Sequence, residues 1–365
     1  MRFRASIILA LILGVICLVY RSGRKSPPPP ATAQVAASNS PSTTRITFKR
    51  SANNAPLADI HSQESFPPTP TSNVFQRLMS GEMDLQLNAE QLAEYLRRFG
   101  TNAATLLATQ NKDYIRLAAE LFPGDPRVQY AVLTRDLFPE ARREWLDRFK
   151  QSAPDNSLAN YLSAREYLRT GDREQALQEL ALAAGKPQFN DYTLEQVQNM
   201  EDAQLAAGRT VAEAKIAAGS ELLLPQLAMF KGLAQEVQQM EKEYATAGDT
   251  QSAESLAQLG LALSRQLTTG EGSRTLIGQL VGMAIERIVI NPLAPDSQPE
   301  FLGSTVQQRL DENMAFRQNI RTLSPVVDDM LARGNEIEII SYFDRMKLEG
   351  EYKAMLWLQN ENSLR

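Results

Sequence analysis

From residue 76 onward, apolar side chains recur three and four positions apart. Leu92, Tyr95, Leu96 and Phe99 form one such stripe, and Leu177, Leu180 and Ala184 another. At that spacing side chains share one face of an α-helix. The residues between stripes predict helix ends. Asn88 with Gln91, Asp172 with Gln175, Thr193 with Gln196, Thr210 with Glu213 and Ser304 with Gln307 each place a capping oxygen three residues before a side chain that can return the bond. Asp125-Pro126 and Ser324-Pro325 put a cap before a proline at the first helical position, where the missing N–H costs little. Gly100, Gly171, Gly208, Gly248 and Gly334 follow helical stretches that need a left-handed closing residue. Period-two alternation is confined to the short stretch Ile337 to Ile340. The pattern predicts an all-α fold of short-linked helices, paired into antiparallel hairpins stacked side by side, with a Pro-rich break from Asn291 to Pro299 before a terminal helical part.

The N-terminus reads differently. Ala5 to Tyr20 is an uncharged run of sixteen residues between Arg2, Arg4 and the cations Arg21, Arg24 and Lys25. As a helix it spans about 24 Å, and flanking arginines that snorkel extend it toward a bilayer core of about 30 Å. A cleaved signal peptide is the rival reading, but the nearest small-residue site, Ala31-Thr32-Ala33, lies beyond three cations and four prolines. The short leading tail favours an N-inside orientation. The expected location is a bacterial inner membrane, with one span and the remaining chain on the extracytoplasmic side. Residues 26–75 carry nine of the nineteen prolines and no apolar period, which predicts a disordered tether reaching about 40 Å as a loose coil. The expected organisation is an anchor at 1–25, the tether at 26–75, a helical domain at 76–290 and a C-terminal helical part at 304–365 packed on that domain.

Within the helical part a motif repeats. Tyr167-x-x-x-Gly171-Asp172-x-x-x-Ala176 recurs as Tyr244-x-x-x-Gly248-Asp249-x-x-x-Ala253. The segment Asn156 to Pro187 resembles a tetratricopeptide unit. Ala164 and Tyr167 fall at that repeat's small and aromatic positions, Gly171-Asp172 at its turn, and Ala176, Leu180 and Ala183 on the seam of its second helix. The Trp and Leu near the start of such a unit are absent, and the second copy has Glu241 where a small residue is expected. The resemblance implies an irregular α-solenoid in which these residues are structural. Small residues at a crossing let two helices approach to about 8–10 Å.

Charge and composition narrow the chemistry. Residues 1–75 carry eight Lys/Arg against two Asp/Glu, leaving 30 against 41 in the remainder. An acidic folded part without a basic stripe repels phosphates, so nucleic acid is not an expected partner. One Cys and one His in 365 residues exclude a disulfide scaffold, a multi-Cys/His zinc site and a Cys/His catalytic pair. The single histidine, His61, sits in the tether without neighbouring ligands. No phosphate-binding glycine loop or nucleophile elbow is present, and no cofactor is expected. Asp328-Asp329 and Glu336 with Glu338 read as solvated helix faces. Glu286-Arg287 interrupts the most apolar helix, Leu276 to Ile290, and reads as an ion pair within or between helices.

The remaining candidates are recognition residues. Trp145, Tyr161 and Tyr167 could line a groove, and Phe189 and Tyr192 sit in a joint between helices; aromatic anchors dominate many recognition surfaces. Trp145, Tyr161, Phe189 and Tyr192 are the expected partner-binding residues. The expected function is a non-enzymatic scaffold that binds a protein or peptide segment beside a membrane. Two alternatives stay open: an envelope enzyme using carboxylates alone on a glycan, which needs two acids facing across a cleft, and a structural role through self-association.

Overall fold

A computed structural model of the chain describes Val74, Arg77, Glu82, residues 86–220 and residues 224–364. The expected membrane span at 5–20 and the tether up to residue 73 lie outside these residues. Val74, at the end of the expected tether, is already helical and buried. Among the described residues no strand forms, and no helix is long and apolar enough to cross a membrane.

Fifteen α-helices account for most of the described chain. The first five are α1 (Ala89–Phe99), α2 (Ala103–Ala108), α3 (Lys112–Leu121), α4 (Pro126–Arg135) and α5 (Arg142–Ser152). Next come the pairs α6 (Leu158–Thr170) with α7 (Arg173–Ala184), and α8 (Thr193–Ala206) with α9 (Val211–Ser220). The longer α10 (Pro225–Thr246) and α11 (Thr250–Thr269) follow, then α12 (Leu276–Ile290). After the Pro-rich break the chain forms α13 (Val306–Arg333), α14 (Glu336–Glu349) and α15 (Glu351–Ser363). Most neighbours in sequence pack against each other, and longer-range contacts join α2 to α8, α6 to α10, α7 to α11 and α9 to α14.

The two copies of the repeated motif form helical pairs with the same joint. Gly171 (φ 85°) and Gly248 (φ 83°) take the left-handed conformation that closes the preceding helix. Asp172 and Asp249 then cap the next helix, accepting from the Gln175 and Ser252 N–H groups at 3.2 and 3.0 Å. Ala164, Ala176 and Ala183 have no exposed surface, so α6 and α7 meet across methyl groups. Tyr167 is only partly buried and lies under the Arg143 guanidinium, 3.9 Å from its ring centre; Tyr244 is exposed. The α11–α12 crossing is close enough to require glycine. A Cβ added at Gly260 would lie 2.4 Å from Val289 Cγ1, and one at Gly282 2.6 Å from Thr268 Cγ2. Only glycine fits at either point.

Several expected boundaries move. Pro325 does not begin a helix but lies inside α13, which stays continuous with Leu323 and Met330 both buried. The Ser324 hydroxyl donates back to the Ile320 carbonyl at 2.9 Å instead of capping forward. The cap of α13 is Thr305 with Gln308, one residue past the expected Ser304 with Gln307. Thr193 is inside α8, and its N–H donates to Asp191 Oδ1 at 3.1 Å. The alternating Ile337 to Ile340 stretch is part of α14; Ile339 is buried there and Ile337 exposed.

Two buried carboxylates show opposite solutions to the same cost. Glu286, 2% exposed, pairs with a later helix and not with the exposed Arg287 beside it: Arg309 Nε donates to Oε1 at 2.6 Å and Asn313 Nδ2 to Oε2 at 2.8 Å. Glu241, 1% exposed at the position where the repeat expects a small residue, has neither oxygen bonded among the described residues. Burial pushes its carboxyl up from 4.5 to about 8, with Lys242 pulling weakly the other way.

Each carboxylate gives a measurable consequence. Arg309→Ala strands a buried charge and is expected to cost about 3–5 kcal/mol in denaturant unfolding of the full chain. Adding Glu286→Gln should recover a large part of that loss; an equal loss in the double variant would show that the pair does not carry it. For Glu241, the unfolded chain releases its proton near 4.5 while the folded chain keeps it to about 8. Stability contributed by this group therefore falls as pH rises through that window and is flat above it. Glu241→Gln should remove about 2–4 kcal/mol of the difference between pH 5 and pH 8, read as converging urea midpoints of the two proteins at low pH and diverging ones at high pH.

Candidate functional site

The joint between α7 and α8, residues 185–192, is shaped by a single amide. Asn156, 4% exposed, accepts from the Leu158 and Asn190 N–H groups at 3.1 and 3.0 Å through Oδ1. Its Nδ2 donates to the Asn190 carbonyl at 2.7 Å and reaches the Tyr192 hydroxyl at 3.4 Å. Alongside, the Ser157 N–H donates to the Gln188 carbonyl at 2.8 Å. These bonds satisfy backbone groups that the buried Phe189 draws into the protein; an unpaired one costs about 1–3 kcal/mol.

Of the four expected partner-binding residues, three are interior. Tyr161 has no exposed surface, packs edge-on to Phe230 at 6.2 Å, and leaves its hydroxyl unbonded among the described residues. Phe189, 5% exposed, meets the same Phe230 ring at 5.7 Å. Trp145 is 8% exposed and stacks on Phe138 at 5.8 Å. Tyr192 alone faces open space. It forms one wall of a cavity of about 450 Å³ between α2–α4, the start of α8 and the start of α10. That size suits a small ligand or an inserted side chain.

The cavity has an aromatic side, an apolar side and charged corners. Tyr192 contacts Tyr130 at 5.9 Å and Phe149 at 6.3 Å. Burial raises the Tyr130 hydroxyl well above its ordinary value, with the Asp191 charge adding to the effect, so it stays a neutral donor. Leu107, Ile115, Ala131 and Leu224 supply apolar surface. At one end Arg127 is fully engaged: Nε and Nη2 donate to Asp125 at 2.9 and 2.5 Å, and Nη1 donates to Glu195. Asp191 accepts from the Thr193 N–H and, at 2.9 Å, from Gln226 Nε2.

At the other end Arg135 is half-buried and, among the described residues, hydrogen-bonds only Gln110, through its carbonyl and side-chain oxygens. No carboxylate pairs with it among the described residues, and the acid next in sequence, Asp136, binds Arg142 at 3.2 Å. Burial holds the Arg135 guanidinium below its ordinary value, partly offset by Tyr130. Asp191, Tyr192, Thr193 and Glu195 also border a second cavity of about 250 Å³ that includes Glu271 and Thr275. Among the described residues, no three His, Cys, Asp or Glu side chains are grouped to hold a metal ion.

The sequence reading singled out the joint and Tyr192 but not Arg127, Tyr130 or Arg135. A signal for Arg127 and Tyr130 exists in α4. Val128 and Val132 form its core stripe, while Arg127, Tyr130, Ala131 and Thr134 form a second stripe three and four apart. Compared with protein-family models, curated proteins and solved structures, the chain matches none.

Because one side chain positions the joint, Asn156→Ala is expected to lower stability by about 2–4 kcal/mol. Backbone hydrogen exchange at Phe189 to Tyr192 should accelerate more than in the α10–α11 pair; uniform acceleration would mean that Asn156 stabilises the protein without positioning this segment.

Proposed function

We propose that the folded part is a non-enzymatic binding module. In this reading the helical pairs stack as an irregular tetratricopeptide-like solenoid, held beside a membrane by residues 5–20 and the Pro-rich tether. The module takes a protein or peptide segment, whose anchoring side chain enters the cavity between α4 and α8. The cavity itself carries the reading: about 450 Å³ bounded by Tyr130, Tyr192 and aliphatic side chains, with polar groups at its ends. Concave, mostly apolar recesses with a few placed polar groups are where anchors bind.

The acidic groups of the cavity favour recognition over the carboxylate-enzyme alternative. Asp191 is held by an N–H and an amide, and Glu195 by Arg127. Both are committed to structural bonds, whereas acid–base work on a glycan needs a free pair facing across the substrate.

A photoreactive residue at Asn199, on the cavity wall, should give one recurring adduct in the intact membrane-associated chain. The same residue at Ile337, which is 78% exposed on α14, should not give it. Filling the cavity with Ala131→Trp should abolish the adduct. Indistinguishable labelling from the two positions, or none from Asn199, would overturn the proposal.

A further inference from the structure

We infer that the cavity between α4 and α8 selects a carboxylate carried on an apolar group, with Arg135 as its counter-ion. The inference rests on the binding-module reading and narrows the chemistry of what enters. A guanidinium offers five N–H donors, and two bonds to Gln110 leave three of them. A half-buried cation is costly unless an anion or several acceptors face it. Every other charge on the wall already has its partners: Arg127 with Asp125 and Glu195, Asp191 with Thr193 and Gln226. The guanidinium on this wall without a carboxylate partner among the described residues is the one at the Arg135 end.

The same wall argues for a single negative charge. Asp191 and Glu195 lie on the cavity with no excess of cations to offset them, so a dianion such as phosphate meets repulsion that a carboxylate meets only in half measure. The planar guanidinium fork matches the two oxygens of a carboxylate. Leu107, Ile115 and Ala131 then cover the group that bears it, and the neutral Tyr130 hydroxyl is a second donor. A free organic acid and an acidic side chain in a partner segment present this same chemistry.

Calorimetric titration of the full chain in lipid nanodiscs decides between them. The probes are 4-methylpentanoate, the peptide acetyl-Leu-Glu-Leu-amide, its Gln counterpart and inorganic phosphate. Binding of the acid, of the Glu peptide or of both is expected, and identifies the source. Affinity should fall about tenfold or more for the Gln peptide and for Arg135→Met. Arg135→Lys, which keeps the charge but not the fork, should lie between; it also serves if Arg135→Met does not fold by circular dichroism. Equal binding of the Glu and Gln peptides, tighter binding of phosphate, no millimolar binding of either carboxylate, or unchanged affinity in the Arg135 variants would overturn the inference. Equal binding with the Asn199 adduct retained defeats only the carboxylate selection; loss of the adduct as well defeats the binding-module reading.

Discussion

The geometry around the cavity depends on how Asn156 satisfies buried backbone. Residues 185–192 leave the helical ladder, so their N–H and C=O groups need other partners once Phe189 carries them inside. An asparagine amide supplies a donor and an acceptor on one rigid plane, and here both ends reach the backbone of Asn190. Ser157 continues the contact, its N–H bonding Gln188 and its hydroxyl bonding Gln266 of α11 at 2.7 Å. The joint is thereby tied to the start of α6 and to the neighbouring pair. Tyr192, whose hydroxyl Asn156 also reaches, is held against Tyr130 on the cavity wall as a consequence.

Local chemistry explains what was legible in the sequence. Caps and closing glycines act within four residues, so Asn88 with Gln91, Thr210 with Glu213, Gly171 and Gly248 could be read directly. The failures share a cause. At Pro325 the local signal says start, yet burial of Leu323 and Met330 on either side keeps the helix whole. At Thr193 the capping pattern is present, but the preceding backbone is fixed by Asn156 and Asp191 from outside the motif. Helical spacing likewise groups Trp145 or Tyr161 with an apolar face without saying whether a neighbour covers it. Coverage is a property of the stacking, and the cavity is a place where stacking is incomplete.

Charge burial follows one rule with three outcomes. Glu286 meets Arg309 and Asn313 from α13, which fastens the part after the Pro-rich break to α12. Glu241 meets nothing among the described residues and retains its proton well above the ordinary carboxyl range. Its neutral form is the cheaper one at a position with almost no exposed surface. Arg135 cannot follow that route, because a guanidinium does not give up its proton in the accessible pH range. It keeps its charge beside Gln110 and the open cavity. A buried acid can hide its charge, whereas a half-buried arginine has to display it.

The backbone carries the same mark. Three non-glycine residues among those described have positive φ: Gln110 (55°), Asp136 (51°) and Tyr192 (57°). Gln110 and Tyr192 line the cavity, and Asp136 directly follows Arg135. Left-handed backbone costs roughly 1–2 kcal/mol for most side chains and less for aspartate, whose short polar side chain can bond locally. Asp136 closes α4 as glycine does at Gly171, Gly248 and Gly334, whereas Gln110 and Tyr192 place their side chains on the cavity wall. Glycine at these two places would give up the Gln110 side-chain bond to Arg135 and the Tyr192 wall. At Gln110 and Tyr192 the strain is therefore sustained where side chains face the cavity, and relief by glycine would remove groups that define it.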